Sequence, residues 1–220
     1  MTALRRPALL ALLALLALML ISCGDAQEDV DLLKGALFPN APRFHPRAQA
    51  LAARRPIPPR LEVGFPARDL AGVMLLETER AGVQTWLSAD GAAITLDQGL
   101  LTSAKGFGGG LAGSDVSQSA ALILSGGSGR AERFHSFLNG NDEIELHAYR
   151  CRITPLGSDP VVLQGTPVAA QKRQEDCYGV AETFSNIYWV QDSTGRIVQS
   201  SQWTGDFLGN MVIKVVPDES

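Results

Sequence analysis

From Leu61 onward the chain adopts a period of two, and Gly-, Asn- and Asp-containing turn signals interrupt it about every ten residues. That rhythm restricts the fold more than any other feature, because helices need a period near 3.6. Val73 to Glu79 and Val83 to Ser88 read as strands, and Ala89-Asp90-Gly91 closes a hairpin onto Ala93 to Leu96. Leu100 to Ala104 continues the meander. Gly106 to Ser119 is rich in glycine and serine and reads as a long loop, followed by a short helix or strand over Ala120 to Leu124. Arg133 to Leu138 and Glu143 to Ile153 flank the turn Asn139-Gly140-Asn141-Asp142. In the second arm, Ile144, Leu146 and Ala148 alternate with Glu143, Glu145 and His147, which predicts one dry and one wet face. Val161 to Gln164, Val168 to Asp176, Phe184 to Val190, Arg196 to Trp203 and Met211 to Val216 complete the series. The expected fold is mainly β: an antiparallel meander forming a curved sheet, half-barrel or sandwich, with short N-terminal helices. Pattern alone does not choose among these closures.

The N-terminus carries a different signal. Arg5 and Arg6 precede an uncharged apolar run from Ala8 to Ile21, too short to span a bilayer comfortably. Leu20-Ile21-Ser22-Cys23 then resembles a bacterial lipobox, which implies a diacylglycerol on the Cys23 thiol and cleavage before it. Two or more acyl chains anchor a protein stably. Gly24 follows the cysteine, where enteric lipoproteins retained in the inner membrane carry Asp, so the resemblance implies the outer membrane. The expected organisation is a signal peptide over residues 1–22, a lipidated tether with short helices over 23–60, and a β-rich domain over 61–220. Within the tether, Val30 to Leu37 and Ala48 to Arg54 are short helix candidates, and Pro56, Pro58 and Pro59 end regular structure.

Cleavage leaves 198 of the 220 residues, with 17 basic against 23 acidic side chains, a net charge of −6. No basic run occurs, so nucleic acid is not an expected partner. Once Cys23 is assigned to lipid, Cys151 and Cys177 remain. An even pair in an exported chain reads as a structural disulfide.

Few residues suggest chemistry. Gly108, Gly110 and Gly113 spell G-x-G-x-x-G, but the strand and helix of a dinucleotide fold do not flank them. His45, His135 and His147 lack metal-ligand spacing, although His135 and His147 sit on opposite arms of one hairpin. No G-x-S-x-G elbow occurs; Ser125-Gly126-Gly127-Ser128-Gly129 reads as a linker. Glu143 and Glu145 fall on the solvated face. No catalytic residue, metal ligand or cofactor is assigned. The candidate contacts for a glycan or a protein partner are aromatic: Trp86, Tyr188, Trp189 and Trp203. Tyr188 and Trp189 are adjacent in a strand and must point to opposite faces.

Several blocks resemble the YjbF/GfcB family of capsule and exopolysaccharide lipoproteins, between about Val30 and Val216. Thr85-Trp86 with Asp90-Gly91, and Leu100 to Gly108, are similar to its hairpin and the strand leading to its glycine loop. The most specific blocks are Asn186-Ile187-Tyr188-Trp189 and Ser200-Ser201-Gln202-Trp203-Thr204-Gly205; Asp206 departs from the proline that members often carry. Cys151 and Cys177 match a pair present in some members. The resemblance implies a β-rich periplasmic domain on the outer membrane, a non-enzymatic accessory of capsule or exopolysaccharide assembly or export. Implied partners are the membrane through the N-terminal lipid, envelope proteins including an outer-membrane β-barrel, and polysaccharide. The alternatives are a polysaccharide-modifying enzyme, marked by a buried carboxylate pair in a groove, and a carrier of a lipid or other apolar ligand, marked by a dry cavity.

Overall fold

Among the described residues, fourteen strands follow one another in the order their turn signals set. A computed structural model describes residues 44–107, 110–138, 141 and 143–217. Cys23 and the helix expected at Val30 to Leu37 lie outside the described residues. The strands are β1 (Arg60–Phe65), β2 (Leu70–Arg80), β3 (Val83–Ser88), β4 (Ala93–Asp97), β5 (Leu100–Lys105), β6 (Leu111–Asp115), β7 (Gly129–Leu138) and β8 (Ile144–Ser158). They continue as β9 (Val161–Leu163), β10 (Thr166–Val168), β11 (Ala170–Tyr178), β12 (Thr183–Gln191), β13 (Ile197–Trp203) and β14 (Asn210–Val216). Two α-helices accompany them among the described residues, α1 (Pro46–Ala52) and α2 (Ser117–Ser125).

Twelve strands form one antiparallel sheet in the order β5-β4-β3-β2-β1-β14-β13-β12-β11-β8-β7-β6, and β9 and β10 form a separate hairpin. The sheet curls until its end strands nearly meet. A Cβ on Gly110, just before β6, would stand 2.8 Å from the Ala104 carbonyl oxygen of β5. The result is a nearly closed barrel, which removes most of the edge that an open sheet exposes. The sequence expected a long loop over Gly106 to Ser119; the structure places β6 and the start of α2 there. Both are short and lack β-branched or periodic signals, so composition hides them.

Alternation of strand residues fills the interior. Leu61, Val63, Phe65, Met74, Trp86, Ile94, Leu96, Met211 and Ile213 make one core cluster. Tyr149, Cys151, Ile153, Cys177, Phe184, Tyr188 and Trp203 make the other, joined by Val116, Ala120 and Ile123 around α2. At one end lie the β2–β3, β4–β5 and β12–β13 turns, and α2 plugs part of it. At the opposite end α1 packs outside the barrel, burying Ala48 and Leu51 against Leu87. Its entry is fixed where His45 N–H donates to the Ala89 carbonyl at 2.8 Å. Gly91 has φ +92° and meets the His45 ring so closely that a side chain there would clash at 2.7 Å. The compact unit begins at Phe44 and so includes α1.

Cys177 and Cys151 are register partners between β11 and β8 and form a disulfide. It closes a loop of sequence separation 26 and stabilises the fold by about 3 kcal/mol in the chain-entropy view. The faces of β8 are reversed from expectation. His147, Tyr149, Cys151 and Ile153 point inward, while Ile144 and Leu146 are exposed. The β7–β8 hairpin runs past the barrel rim, so its outer apolar residues find no covering layer.

Candidate functional site

The interior holds a polar cluster that the sequence reading missed. On β7, Ala131, Arg133 and His135 face inward between the outward Glu132 and Phe134. Glu175 on β11 shares the inward face of Cys177. The Arg133 Nη1 donates to Glu175 Oε2 at 2.7 Å, with side-chain exposures of 1% and 0%. Glu175 Oε2 also accepts from Asn186 Nδ2 at 2.8 Å and from the Tyr188 hydroxyl at 2.9 Å, and Oε1 accepts from the Ser119 hydroxyl of α2. Arg133 Nη2 reaches the Leu101 carbonyl at 3.3 Å, tying β7 to β5 across the seam where the sheet nearly closes. Burial works against the guanidinium charge, but Glu175 and Tyr188 outweigh it and keep Arg133 protonated. Burial, with the Glu175 charge, pushes the Tyr188 hydroxyl upward, so it stays neutral.

A second network joins the signature residues. Gln202 Oε1 accepts from Leu101 N–H at 2.7 Å, while its Nε2 donates to the Gly99 carbonyl and the Ser200 hydroxyl, each at 2.9 Å. Asn186 Oδ1 accepts from Trp203 N–H at 2.7 Å. Asn186 and Gln202 thus satisfy backbone groups inside the barrel, where an unpaired group costs about 1–3 kcal/mol.

His135 and His147 are direct register partners. His135 Nε2 accepts from Arg133 Nε at 3.0 Å, so its proton sits on Nδ1, which is buried without a hydrogen-bond partner among the described residues. Burial, then the charge of Arg133, pulls its pKa down to about 2, and the ring is neutral. It stacks 5.5 Å from Phe184 and 5.7 Å from Trp203. His147 turns away to Glu182, its Nδ1 2.7 Å from Oε1, and the Tyr149 hydroxyl donates to the same oxygen. Burial alone would raise the Glu182 carboxyl, but these two partners outweigh it and hold it below the usual carboxylate range.

The aromatic residues singled out in the sequence separate into two settings. Trp86, Tyr188 and Trp203 are buried in the barrel. Trp203 stacks on Phe184 with ring centroids 4.4 Å apart and planes 6° from parallel. Trp189 lies on the outer face, half-covered by the β9–β10 hairpin with Val161, Leu163 and Val198. Its indole N–H donates to Asp159 at 3.0 Å, and the Lys172 ammonium stands 5.0 Å from the ring centre.

Two surface features remain. One is a cavity of about 580 Å³ at the end of the barrel that α2 leaves open. Its wall carries Leu61, Leu76, Trp86, Leu96, Ile213 and Val215, and its rim carries Arg60, Glu79, Gln98 and Arg196. The other is the opposite end, where neighbouring turns expose apolar side chains. Leu138, Ile144 and Leu146 stand on the β7–β8 hairpin, Tyr178 and Val180 by the β11–β12 turn, and Phe207 on the β13–β14 turn. Single exposed apolar residues of this kind are ordinary; here several gather around one end. Cys151, Glu175 and Cys177 are the close group of potential metal ligands among the described residues, and the disulfide consumes both sulfurs. Gly113 pairs with Ser136 within β6–β7, and Gly108 lies outside the described residues.

Taken together these features define a barrel-type β domain with a buried polar cluster in an apolar core, one open end and one apolar end. The chain belongs to the YjbF family: the family described as group 4 capsule polysaccharide lipoprotein gfcB, YjbF matches residues 46–216. The crystal structure of the hypothetical lipoprotein YmcC from Escherichia coli K12 has the same fold. It superposes with a TM-score of 0.66 at 17% identity, covering 90% of this chain and 99% of that one. A protein with a YmcC-like fold from Bacteroides fragilis aligns at a TM-score of 0.32 and 9% identity, over 74% of this chain and 94% of that one. No curated protein sequence matches the chain. Among the described residues no helix is long and apolar enough to cross a membrane.

Proposed function

We propose that this protein is a periplasmic lipoprotein held on the outer membrane by lipid on Cys23, and that it serves capsule or exopolysaccharide assembly or export without catalysing a reaction. The match of residues 46–216 to a capsule-polysaccharide lipoprotein family carries the reading. The interior chemistry supports its non-enzymatic part. Arg133, Glu175 and Tyr188 are buried and pair with one another rather than facing a substrate. The apolar end supports a protein partner from the envelope, an outer-membrane β-barrel among them, docking over Leu146 and its neighbours. Of the four aromatic candidates, Trp189 retains an accessible edge for a glycan, and Trp86 meets only what enters the cavity. Tyr188 and Trp203 are buried in the core and offer no contact surface.

Replacing Ile144 and Leu146 together by lysine tests the reading without touching the core, since both side chains are exposed. The variant should fold normally, lose its envelope partner in co-purification from crosslinked cells and lower surface polysaccharide. Unchanged co-purification and polymer would contradict docking at this end. Cys23→Ala should abolish fatty-acid labelling and membrane retention; undiminished labelling would remove the lipid anchor from the account.

A further inference from the structure

We infer that the cavity at the open end binds the aliphatic chain of an amphiphile, with the polar head left at the rim. The inference goes beyond a role in polysaccharide export and stands on the cavity alone.

At about 580 Å³ the cavity lies within the range of roughly 300–1,000 Å³ typical of small-molecule sites. The polarity of its wall changes with depth. Leu61 and Leu96 stand one residue inside the ends of β1 and β4 and Ile213 in the middle of β14, and all three are buried. The charged and amide groups that line it, such as Gln98 and Arg196, sit in or beside the turns at the mouth. An apolar shaft under a polar collar fits a tail that leaves water and a head that does not. A sugar fits less well. Its hydroxyls need polar partners along the wall and an exposed ring face, whereas the aliphatic side chains supply neither and Trp86 is 4% exposed. The barrel's buried charges are gathered around Glu175 beside α2, away from this wall, and the Ser200 hydroxyl that lines the cavity already accepts from Gln202 Nε2.

The full-length protein in native membranes, incubated with palmitic acid bearing a diazirine and irradiated, provides the test. Crosslinks should map to peptides carrying Trp86, Leu96 or Ile213. Unlabelled palmitate should displace the probe, and each pair of methylenes removed from the competitor should weaken displacement about tenfold. Leu76→Trp and Val215→Trp each fill the cavity from a half-buried position and should abolish the crosslinks, while Leu156→Trp on the outer face should not. Resistance to trypsin reports that each variant is folded. If one filling variant loses that resistance, the other decides. Cys23→Ala separates the two sources of such a chain. Labelling that rises in this variant identifies the protein's own acyl group as occupant, and unchanged labelling identifies a separate lipid. Crosslinks that avoid the cavity peptides, that persist in a folded filling variant, or that yield to an oligosaccharide instead of palmitate would overturn the inference.

Discussion

Arg133 and Glu175 form an ion pair 2.7 Å apart with side-chain exposures of 1% and 0%, inside a barrel whose walls are otherwise largely apolar. Asn186, Tyr188 and Ser119 complete the carboxylate, and His135 and the Leu101 carbonyl complete the guanidinium. Strands β5, β7, β11 and β12 and helix α2 therefore meet at one charge pair. Both charges are desolvated together, so the attraction between them goes largely to offsetting that cost.

That relationship predicts an asymmetry. Glu175→Gln leaves the guanidinium buried without its counter-charge and should destabilise the fold by about 3–5 kcal/mol. The double variant Arg133→Met, Glu175→Leu should lose less than either single variant. Urea unfolding of the parent, Arg133→Met, Glu175→Leu and the double variant measures this; a double variant as unstable as the sum of its two singles would refute it.

Stability should depend on pH through His135. Its pKa is depressed to about 2 in the fold, against about 6.5 when unfolded. The unfolded chain therefore binds the extra proton, and the contribution is complete above about pH 6.5 and is lost as pH falls toward 2. His135→Gln keeps an acceptor for Arg133 Nε and removes the titration. Between pH 6 and 4 its stability should fall less steeply than the parent's, by about 1.4 kcal/mol per pH unit. Parallel slopes would show that His135 is protonated in the folded protein.

Breaking the cross-strand disulfide should weaken the β8–β11 pairing and the folded state. Cys151→Ser should cost about 3 kcal/mol and leave Cys177 open to alkylation, while neither cysteine reacts in the native protein. A reactive Cys177 in the parent would contradict the bond.

Trp203 is a core ring whose stacking partner is Phe184. Trp203→Ala should cost about 3–5 kcal/mol and erase much of the near-ultraviolet circular dichroism. Retained stability with lost glycan or partner binding would place the ring on a contact surface instead.

Hairpin geometry was the most legible part of the sequence. Ala89-Asp90-Gly91 joins β3 to β4 because Gly91 takes φ +92°, and the expected strands from Val83 to Ala104 coincide with β3 to β5 within a residue. Register and closure were less legible, since β6 is a short edge strand of small residues that local pattern does not distinguish from a loop. Face assignment failed on β8. Apolar alternation points Ile144 and Leu146 inward only if the sheet covers them, and the hairpin overruns the barrel. The charge pair was hidden because an isolated Arg or Glu in a strand ordinarily marks the wet face. A signal did exist: Glu175 stands two residues from Cys177 and therefore shares the face of a disulfide cysteine. The same rule set Tyr188 and Trp189 on opposite faces, and the structure puts Tyr188 inside and Trp189 outside.

Surface and secreted polysaccharide, measured in a strain lacking this gene and in the same strain with the gene restored, tests the central claim most directly. The account predicts that polymer is lost on deletion and returns with the intact gene, but returns incompletely with Cys23→Ala. Polymer unchanged by deletion would contradict a role in its assembly or export.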